Sequence, residues 1–388
     1  GVYVGGVLKC PQVFFRPSHS RYPLQVFAVL LGCNFATAIA NGDPQFLGFS
    51  RLPGLTWVDG LAACIRDLFA VWLPFHVVRL VTRRHRDIVD FCRVFVVIAL
   101  VVSVGALIEM IVSPQLHRWV YGFHPHARFG QAFRYGGWRP TLFLAHGLDV
   151  AKFFFAALLI AVGLWRSGGL QGWYVGRWVS PYLVVLVISL RSSAIWVWTI
   201  ASLPLAIMSR PRRQARLAAC VSILVFSYPV VRVMDLDPLD SLQVIAGDVF
   251  GEERAQSLTT RVVNEDALMA RALDRPLFGW GAWGRNRIYD YDGKDTSVTD
   301  GLWVRLFGER GALALYAYLL FLLAPCLAAS RAIARAPPRR FSSLGSVLCL
   351  VSALLGFDLV FNGLHDYFQF IYAALLVNIA GVLRSRQR

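Results

Sequence analysis

The chain has almost no lysine: of its 39 basic residues, only Lys9, Lys152 and Lys294 are not arginine. Its seven cysteines are scattered, form no Cys-x-x-Cys pair and match no metal-ligand spacing, so we interpret them as packing residues. The sequence also shows no internal repeat and no low-complexity tract. These absences argue against a disulfide framework, a zinc module and a repeat array.

Long apolar runs dominate what is present. Apolar residues make up 56% of the 388 positions, and the mean hydropathy is +0.54. A bilayer accepts such runs, whereas a soluble protein would expose them. The formal net charge of +16 could indicate nucleic acid, but short arginine-rich bursts between apolar runs are typical of cytoplasmic loops of polytopic membrane proteins. We therefore expect membrane lipids, and no nucleic acid, as partners.

The spacing of the apolar runs predicts an all-α integral membrane bundle of about ten or eleven transmembrane helices, including short and broken ones. We divide the chain into an N-terminal transmembrane bundle at 1–234, a large and partly helical extracytoplasmic loop domain at 235–300, and C-terminal transmembrane helices at 301–388. Loops assigned to the cytoplasm are arginine-rich, and outer loops have mixed charge. Because the chain begins with Gly1, we expect a fragment or processed form that lacks one or more N-terminal spans.

Finer predictions concern particular segments. The fourth span is expected at 141–165 and a cytoplasmic loop at 331–340. Within the loop domain, the spacing is compatible with helices at 240–250 and 255–273. The sequence Gly308-Glu-Arg-Gly311 is expected to break a short re-entering segment from the span that follows.

Two ionisable residues interrupt early spans. Arg66 should be paired, with Asp59 or Asp67 as candidates, or should line a polar cavity. Glu109, near the outer end of the third span, is either an interfacial residue or one that faces a site, and we favour the interfacial interpretation.

The apolar stretch 179–208 is interrupted at Arg191. The part before the interruption, Val179 to Leu190, has 12 residues and would span only ~18 Å as a helix, too little to cross a bilayer upright. Arginine-rich segments flank both ends, so we expect the chain to leave the cytoplasmic side, turn at Arg191 and return. Broken helices at membrane depth line cavities, which makes Arg191 a functional candidate.

The longest polar interruption, 261–311, mixes arginines with carboxylates. Arginine forks hold phosphate oxygens, and carboxylates hydrogen-bond sugars or act as bases. The segment therefore suits a phosphate-bearing, hydroxyl-rich substrate. The alternative is a solvated extramembrane loop.

The order of its motifs resembles a known family. An arginine is followed after about fifteen residues by Arg275-Pro-Leu-Phe-Gly-Trp-Gly281, then by a polar loop and by Gly-x-x-Gly before a helix. Together with Ile188-Ser-Leu-Arg-Ser-Ser-Ala194 and Arg134-Tyr-Gly-Gly-Trp-Arg-Pro-Thr-Leu-Phe-Leu-Ala-His-Gly147, this pattern resembles the O-antigen ligase and O-antigen polymerase (Wzy-type) family. The resemblance covers roughly residues 120–375 and depends on motif order and spacing.

The resemblance implies a GT-C-like glycosyltransferase of the bacterial inner membrane whose site faces the periplasm. Its donor would be a polyprenyl-diphosphate-linked oligosaccharide, its acceptor a glycan or lipid, and the reaction would need no metal or other cofactor. By position, Arg191 and Arg261 would hold the diphosphate. The secondary candidates for substrate binding are Arg139, His146, Arg275 and Arg305. His146 could equally be a hydrogen-bonded helix histidine.

One position departs from the family pattern. Ligases typically carry His-Asn after the polar loop, with that histidine catalytic, whereas this chain has Asp300-Gly301. Asp300 could be the base, His365 from the last outer turn could replace it, or activation could differ. The departure favours a polymerase, or an enzyme acting on exopolysaccharide, over a lipid A-core ligase. The competing functions are a lipid-linked oligosaccharide transporter and a non-catalytic scaffold.

Overall fold

The computed structural model describes residues 22–47, 50–125, 129–170, 176–236, 252–337, 340–362 and 368–385. The helices are α1 (Tyr22–Ala40), α2 (Trp57–Asp67), α3 (Leu73–Val81), α4 (His85–Val112), α5 (Leu116–Tyr121), α6 (Gly147–Ser167), α7 (Gly176–Ser189), α8 (Ser193–Met208), α9 (Pro211–Val233), α10 (Glu252–Leu273), α11 (Leu302–Arg335), α12 (Arg340–Phe361) and α13 (Phe368–Ser385). A π-helical turn, Leu68–Trp72, joins α2 to α3, and Phe129–Ala132 form a 3-10 turn.

Across these ranges, eight helical segments are long and apolar enough to cross a membrane, and α7 and α8 are shorter apolar helices. The β-structure there is limited to an isolated bridge and two short antiparallel hairpins, Gln45–Leu47 with Ser50–Leu52 and Phe133–Arg134 with Gly137–Trp138. The chain is thus an all-α, multi-pass membrane protein, which confirms the predicted fold class at this level.

The chain forms two compact units. The first unit comprises residues 1–76, 221–324 and 356–370. In it α1 packs against α2, and aromatic rings join sequence-distant helices. The ring centroid of Phe321 lies 4.6 Å from that of Phe75 and 6.0 Å from that of Phe370, while Phe27 stacks on Trp72 at 4.9 Å. These contacts fix the membrane part of the first unit.

The second unit comprises residues 77–220, 325–355 and 371–388. Its centre is α6, whose apolar window is 94% buried and which packs against α4, α7 and α8. Gly163 allows a close approach to α12, because a Cβ there would lie 3.1 Å from the Leu344 side chain. A helix that is apolar on all sides belongs at the core of such a bundle.

Several boundaries differ from the predictions. The fourth span begins at Gly147 because residues 141–146 form turns, and α11 continues to Arg335 across the start of the predicted cytoplasmic loop. The predicted break at Gly308–Gly311 is a local kink at Gly311 inside α11. The interruption at Arg191 is confirmed, since α7 ends at Ser189 and α8 starts at Ser193. The predicted helix at 240–250 lies outside the described residues.

The interfacial interpretation of Glu109 is wrong. Its side chain is only 1% exposed. One carboxylate oxygen accepts from the backbone N–H groups of Thr141 and Leu142, each at 2.8 Å, and the other accepts from Leu116 at 2.9 Å. Leu142 adopts a left-handed backbone conformation with φ of 53°, so Glu109 holds a strained turn in place. Glu109 thus anchors the loop between α4 and α6.

We expect Glu109→Ala to destabilise the protein by about 3 kcal/mol, because three buried N–H donors would lose a charged acceptor. Asp90→Ala is the matched control: Asp90 is an exposed acid on the same helix, 2.8 Å from Arg93, and its removal should cost less than about 1 kcal/mol. Unfolding in detergent, followed by circular dichroism, measures both. Equal losses for the two variants would contradict the anchoring role.

Candidate functional site

The two motifs of the polar stretch form one backbone junction in the first unit. The Trp280 N–H donates to the Gly308 carbonyl at 2.8 Å, the Gly281 N–H to Glu309 at 2.9 Å, and the Ala312 N–H to Pro276 at 2.7 Å. The segment 275–281 therefore lies directly on the kink of α11. Sequence reasoning treated the two motifs as separate features, but the structure joins them.

Glycine is required on both sides of this junction. Gly279 and Gly311 have φ of 65° and 76°, where other residues are strained. A Cβ at Gly279 would lie 2.6 Å from the Arg310 nitrogen, and one at Gly311 would lie 2.1 Å from the Leu277 carbonyl oxygen. Both the φ angles and the space between the backbones exclude a side chain.

Arg275, a secondary candidate for substrate binding, contributes to the same junction. Its Nη1 donates to the Ala40 carbonyl at 2.8 Å and to the Asn41 Oδ1 at 2.6 Å. The guanidinium groups of Arg275 and Arg271 lie 4.3 Å and 3.6 Å from the Trp280 ring centroid. These contacts are structural, and a substrate-binding role for Arg275 stays a prediction.

Arg285 is a structural residue that the sequence did not single out. Its side chain is only 1% exposed and donates to the carbonyls of Trp280 at 3.0 Å, Pro53 at 2.7 Å and Asp43 at 2.8 Å. Burial lowers the pKa of this guanidinium from its usual value, with the nearby Arg275 adding to the effect. Arg285 thereby ties the loop after Trp280 to the α1–α2 connection.

The structure brings together the predicted diphosphate ligand Arg261 and the predicted base Asp300. Arg261 Nε lies 3.4 Å from Asp300 Oδ2, and both side chains are more than a third exposed. Arg261 is on α10 and Asp300 comes directly before the start of α11. Both side chains of the pair are therefore accessible from solvent.

A buried polar cluster supports this pair. Glu265, one turn after Arg261 on α10, accepts from Arg232 Nε at 2.8 Å, Tyr228 Oη at 3.1 Å and Trp303 Nε1 at 3.2 Å. Burial raises the pKa of Glu265 above its usual value, although these donors oppose the shift. The cluster fixes α10 to α9 and to the start of α11.

Arg305, another secondary candidate, lies on α11 four residues before Glu309. Arg305 Nε is 3.4 Å from Glu309 Oε1, and both side chains are partly buried. The other proposed base, His365, lies outside the described residues.

In the second unit, the Arg134–Gly147 motif forms a tight hairpin followed by a loop. Tyr135 and Gly136 connect the two strands with φ of 50° and 72°, as in the turns that match the twist of hairpins. Tyr135 also packs against Trp196 of α8, with ring centroids 5.2 Å apart. The hairpin is therefore docked next to the helix break.

Arg191 occupies the break itself. Its backbone is left-handed, with φ of 54°, a strained conformation for a residue with a long side chain. The guanidinium fills the space beside Gly137: a Cβ there would lie 1.4 Å from Arg191 Nη1. This Nη1 is buried and has no hydrogen-bond partner among the residues that the structure describes.

Arg139, in the loop after the hairpin, is a buried arginine. Only 3% of it is exposed, and its Nε lacks a hydrogen-bond partner within the described part of the chain. Burial lowers the pKa of Arg139 to about 10, and the neighbouring charge of Arg134 adds to the effect. The guanidinium therefore stays protonated at neutral pH, while its buried Nε donor has no acceptor among the described residues.

His146 has a local structural role. Its Nδ1 accepts from the Leu148 N–H at 3.0 Å and caps the first turn of α6. This matches the interpretation of His146 as a hydrogen-bonded helix histidine. The second unit thus brings together the motif residues Arg139, Arg191 and His146, and the first unit brings together Arg261 and Asp300.

No protein-family model matches the chain, and a search of curated proteins found no match. Over the described ranges, no group of three or more His, Cys, Asp or Glu side chains is placed to hold a metal ion.

We expect Gly311→Ala to destabilise the first unit by more than about 3 kcal/mol, since it combines backbone strain with a clash between main chains. Gly32→Ala is the matched control, because Gly32 lies inside α1 and a Cβ there meets no atom within 4 Å. That control should be neutral or stabilising by up to ~1 kcal/mol. Thermal unfolding and protease cleavage near 275–281 measure the effect. A Gly311→Ala variant as stable as Gly32→Ala would disprove the close junction.

Proposed function

We propose that this protein is a metal-independent membrane glycosyltransferase that transfers or polymerises a glycan from a polyprenyl-diphosphate donor onto a sugar hydroxyl. The observation that carries the proposal is a pair of arginines in the second unit, the buried Arg139 and the partly buried Arg191, each with a buried N–H group that has no acceptor among the described residues. A buried donor without a partner is costly, and for a guanidinium the natural partner is an anion. A diphosphate supplies several oxygens.

The helix break supports the same conclusion. Arg191 stands between two apolar helices of 14 and 16 residues, each about 21–24 Å long and too short to cross a ~30 Å hydrocarbon core upright. A donor with its polyprenyl tail among lipids would need its diphosphate bound at such a depth. The resemblance of the motifs to the O-antigen ligase and polymerase family supports this assignment independently.

In the proposed mechanism, Arg191 of the second unit and Arg261 of the first unit are each assigned, by the resemblance, to phosphate oxygens of the donor. The acceptor hydroxyl oxygen attacks the anomeric carbon as the bond from that carbon to the phosphate oxygen breaks, which inverts the configuration. The polyprenyl diphosphate leaves with the bonding electrons, and arginines stabilise its growing charge. Asp300 or His365 accepts the hydroxyl proton.

The contact between Arg261 and Asp300 suggests how donor binding would prepare the base. The two side chains are 3.4 Å apart and accessible, so a diphosphate can compete for the guanidinium. Once Arg261 binds phosphate oxygens, the Asp300 carboxylate is free to accept a proton from the acceptor. This order of events would make Asp300 the base, a role that a permanent ion pair with Arg261 would prevent.

We assign the site to the periplasmic side of a bacterial inner membrane, because the Arg261–Asp300 loop belongs to the polar segment whose charges are mixed, whereas the arginine-rich loops face the cytoplasm. The Asp300-Gly301 departure favours a polymerase or an exopolysaccharide enzyme over a lipid A-core ligase. A lipid-linked oligosaccharide transporter is the second candidate, because a broken helix with a partly buried arginine also suits a translocated anion.

The proposal predicts that purified protein in nanodiscs will convert a polyprenyl-diphosphate oligosaccharide into longer glycans and release polyprenyl diphosphate. Arg191→Ala and Arg261→Ala should lower the rate by at least about 100-fold, since each removes charge stabilisation of the leaving group. Arg213→Ala, an exposed arginine at the start of α9, is the control and should leave the rate unchanged.

Each other outcome has a defined meaning. A single transfer without a ladder indicates a ligase. Full activity in both site variants would refute the diphosphate role, and full activity in Asp300→Asn together with His365→Ala would exclude both proposed bases. If no diphosphate is released and the donor becomes protected from added reagents, the transporter is correct.

A pH dependence follows from Arg139. Its pKa of about 10 means that the guanidinium is charged at pH 7 to 9 and loses its proton as the pH rises through 10. We expect binding of a prenyl-diphosphate-linked sugar to be constant over the lower range and to weaken above it. The diphosphate diester itself does not titrate there. Arg139→Ala should bind more weakly and lack the high-pH step. The same step in wild type and variant would show that Arg139 does not contact the donor.

A further inference from the structure

The first unit contains a cavity of about 220 Å³ that the proposed donor site does not use. Its walls come from α1, from α2 at 59–66, from the loop 281–283 and from 309–310 of α11. Half of the fourteen lining residues are alanine, glycine or leucine, and four carry charged side chains. Ligand sites are commonly apolar concavities with a small number of placed polar groups. The cavity is smaller than the ~300 Å³ of a drug-sized pocket, so its volume suits a single sugar-sized ring.

The polar floor of the cavity is fully satisfied. Arg310 donates to both oxygens of Asp67 at 2.7 Å and 3.1 Å, and Asn34 Nδ2 donates to the same carboxylate at 2.9 Å. The π-helical turn Leu68–Trp72 begins immediately after Asp67, and such turns frequently mark functional sites. The floor is a rigid base that does not itself need a ligand.

Two charged side chains above the floor, Arg66 and Glu309, make only long ionic contacts. The Arg66 side chain is 53% exposed, and its closest contact with an acid, from Nε to Asp67 Oδ1, is 3.8 Å long. Glu309 also lines the cavity, and its other contact, with Arg305, is 3.4 Å long. Arg66 can therefore donate hydrogen bonds to a ligand in the cavity, and the Glu309 carboxylate can accept hydrogen bonds from the same ligand. This matches the paired needs of sugar hydroxyls, which both donate and accept hydrogen bonds.

Trp283 supplies the remaining element. It lines the cavity but is 76% exposed, and its backbone is left-handed with φ of 64°. For a bulky residue this conformation is a genuine outlier that costs about 1–3 kcal/mol and persists only when its surroundings enforce it. Asp59, which also lines the cavity, accepts two hydrogen bonds of 2.8 Å from Thr56. The indole is therefore an exposed aromatic surface on the cavity wall.

We propose that this cavity is a sugar-binding subsite that accepts one pyranose ring against the face of Trp283, with hydroxyls bonded to Arg66 and Glu309. The lining charges of Asp59, Glu309, Arg66 and Arg310 balance, so the site selects a neutral, hydroxyl-rich ring over a phosphate. Under the proposed function, on which this role depends, the bound ring belongs to the acceptor glycan. The binding of sugar does not depend on catalysis.

The test uses the full chain in nanodiscs and a panel of methyl glycosides of glucose, galactose, mannose, rhamnose and N-acetylglucosamine. Saturation-transfer NMR should detect binding of at least one glycoside. Trp283→Ala and the cavity-filling Ala63→Leu should each weaken it by at least about 10-fold, as expected when an aromatic platform worth ~1.4 kcal/mol is lost. Trp57→Ala is the matched control: Trp57 is 68% exposed at the start of the same α2 but does not line the cavity, and it should bind as wild type.

Trp283→Gly separates binding from structure. Glycine relieves the left-handed strain, so the melting temperature should be unchanged or higher while glycoside binding is lost. A purely structural Trp283 would instead lower the melting temperature. The subsite is refuted if no glycoside of the panel binds, or if Trp283→Ala and Ala63→Leu bind as wild type.

The two proposals fail in different ways. Glycoside binding that is sensitive to Trp283, without transfer from any polyprenyl-diphosphate donor, supports the sugar subsite and refutes the glycosyltransferase. Transfer that is insensitive to Trp283→Ala and Ala63→Leu at subsaturating acceptor supports the enzyme and refutes the subsite.

Discussion

The constraint on which this structure depends most is that a buried guanidinium group needs hydrogen-bond acceptors. An arginine removed from water is tolerated when carbonyls or carboxylates satisfy its donors. The first unit meets that requirement in three ways: Arg310 is paired with Asp67, Arg285 is ringed by carbonyls, and Arg232 binds Glu265 together with Asp266. Each contact also joins elements that are far apart in sequence, so satisfying the arginine builds the fold.

Two arginines of the second unit, Arg139 and Arg191, are less fully satisfied. Glu109, a buried acid near the loop, accepts hydrogen bonds from backbone N–H groups, and a buried N–H donor of each of Arg139 and Arg191 has no hydrogen-bond partner within the described part of the chain. Buried arginine N–H donors without acceptors place positive charge where an anion can bind. These donors are the physical reason for proposing an anionic donor there.

Local properties of the sequence predicted much of the fold. Apolar length fixed the spans, and the 12 residues before Arg191 were too few for a crossing, which located the helix break. The sequence could not show that residues 275–281 lie on the kink of α11, because that contact joins two backbones and leaves only glycines as its signal. Nor could it separate the structural Arg275 and Arg285 from the exposed Arg261, since a guanidinium's role depends on which carbonyls reach it.

Backbone strain links the two candidate sites. Of the six non-glycine residues with positive φ in the described ranges, Tyr135, Leu142 and Arg191 surround the arginine loop, and Trp283 borders the polar cavity. Each such residue costs about 1–3 kcal/mol, and two of them are held by a specific contact: Glu109 accepts from the Leu142 N–H, and Trp196 packs on Tyr135. Strain that is enforced this way, beside open arginine donors in one unit and an exposed indole in the other, favours two ligand-binding surfaces over two irregular loops.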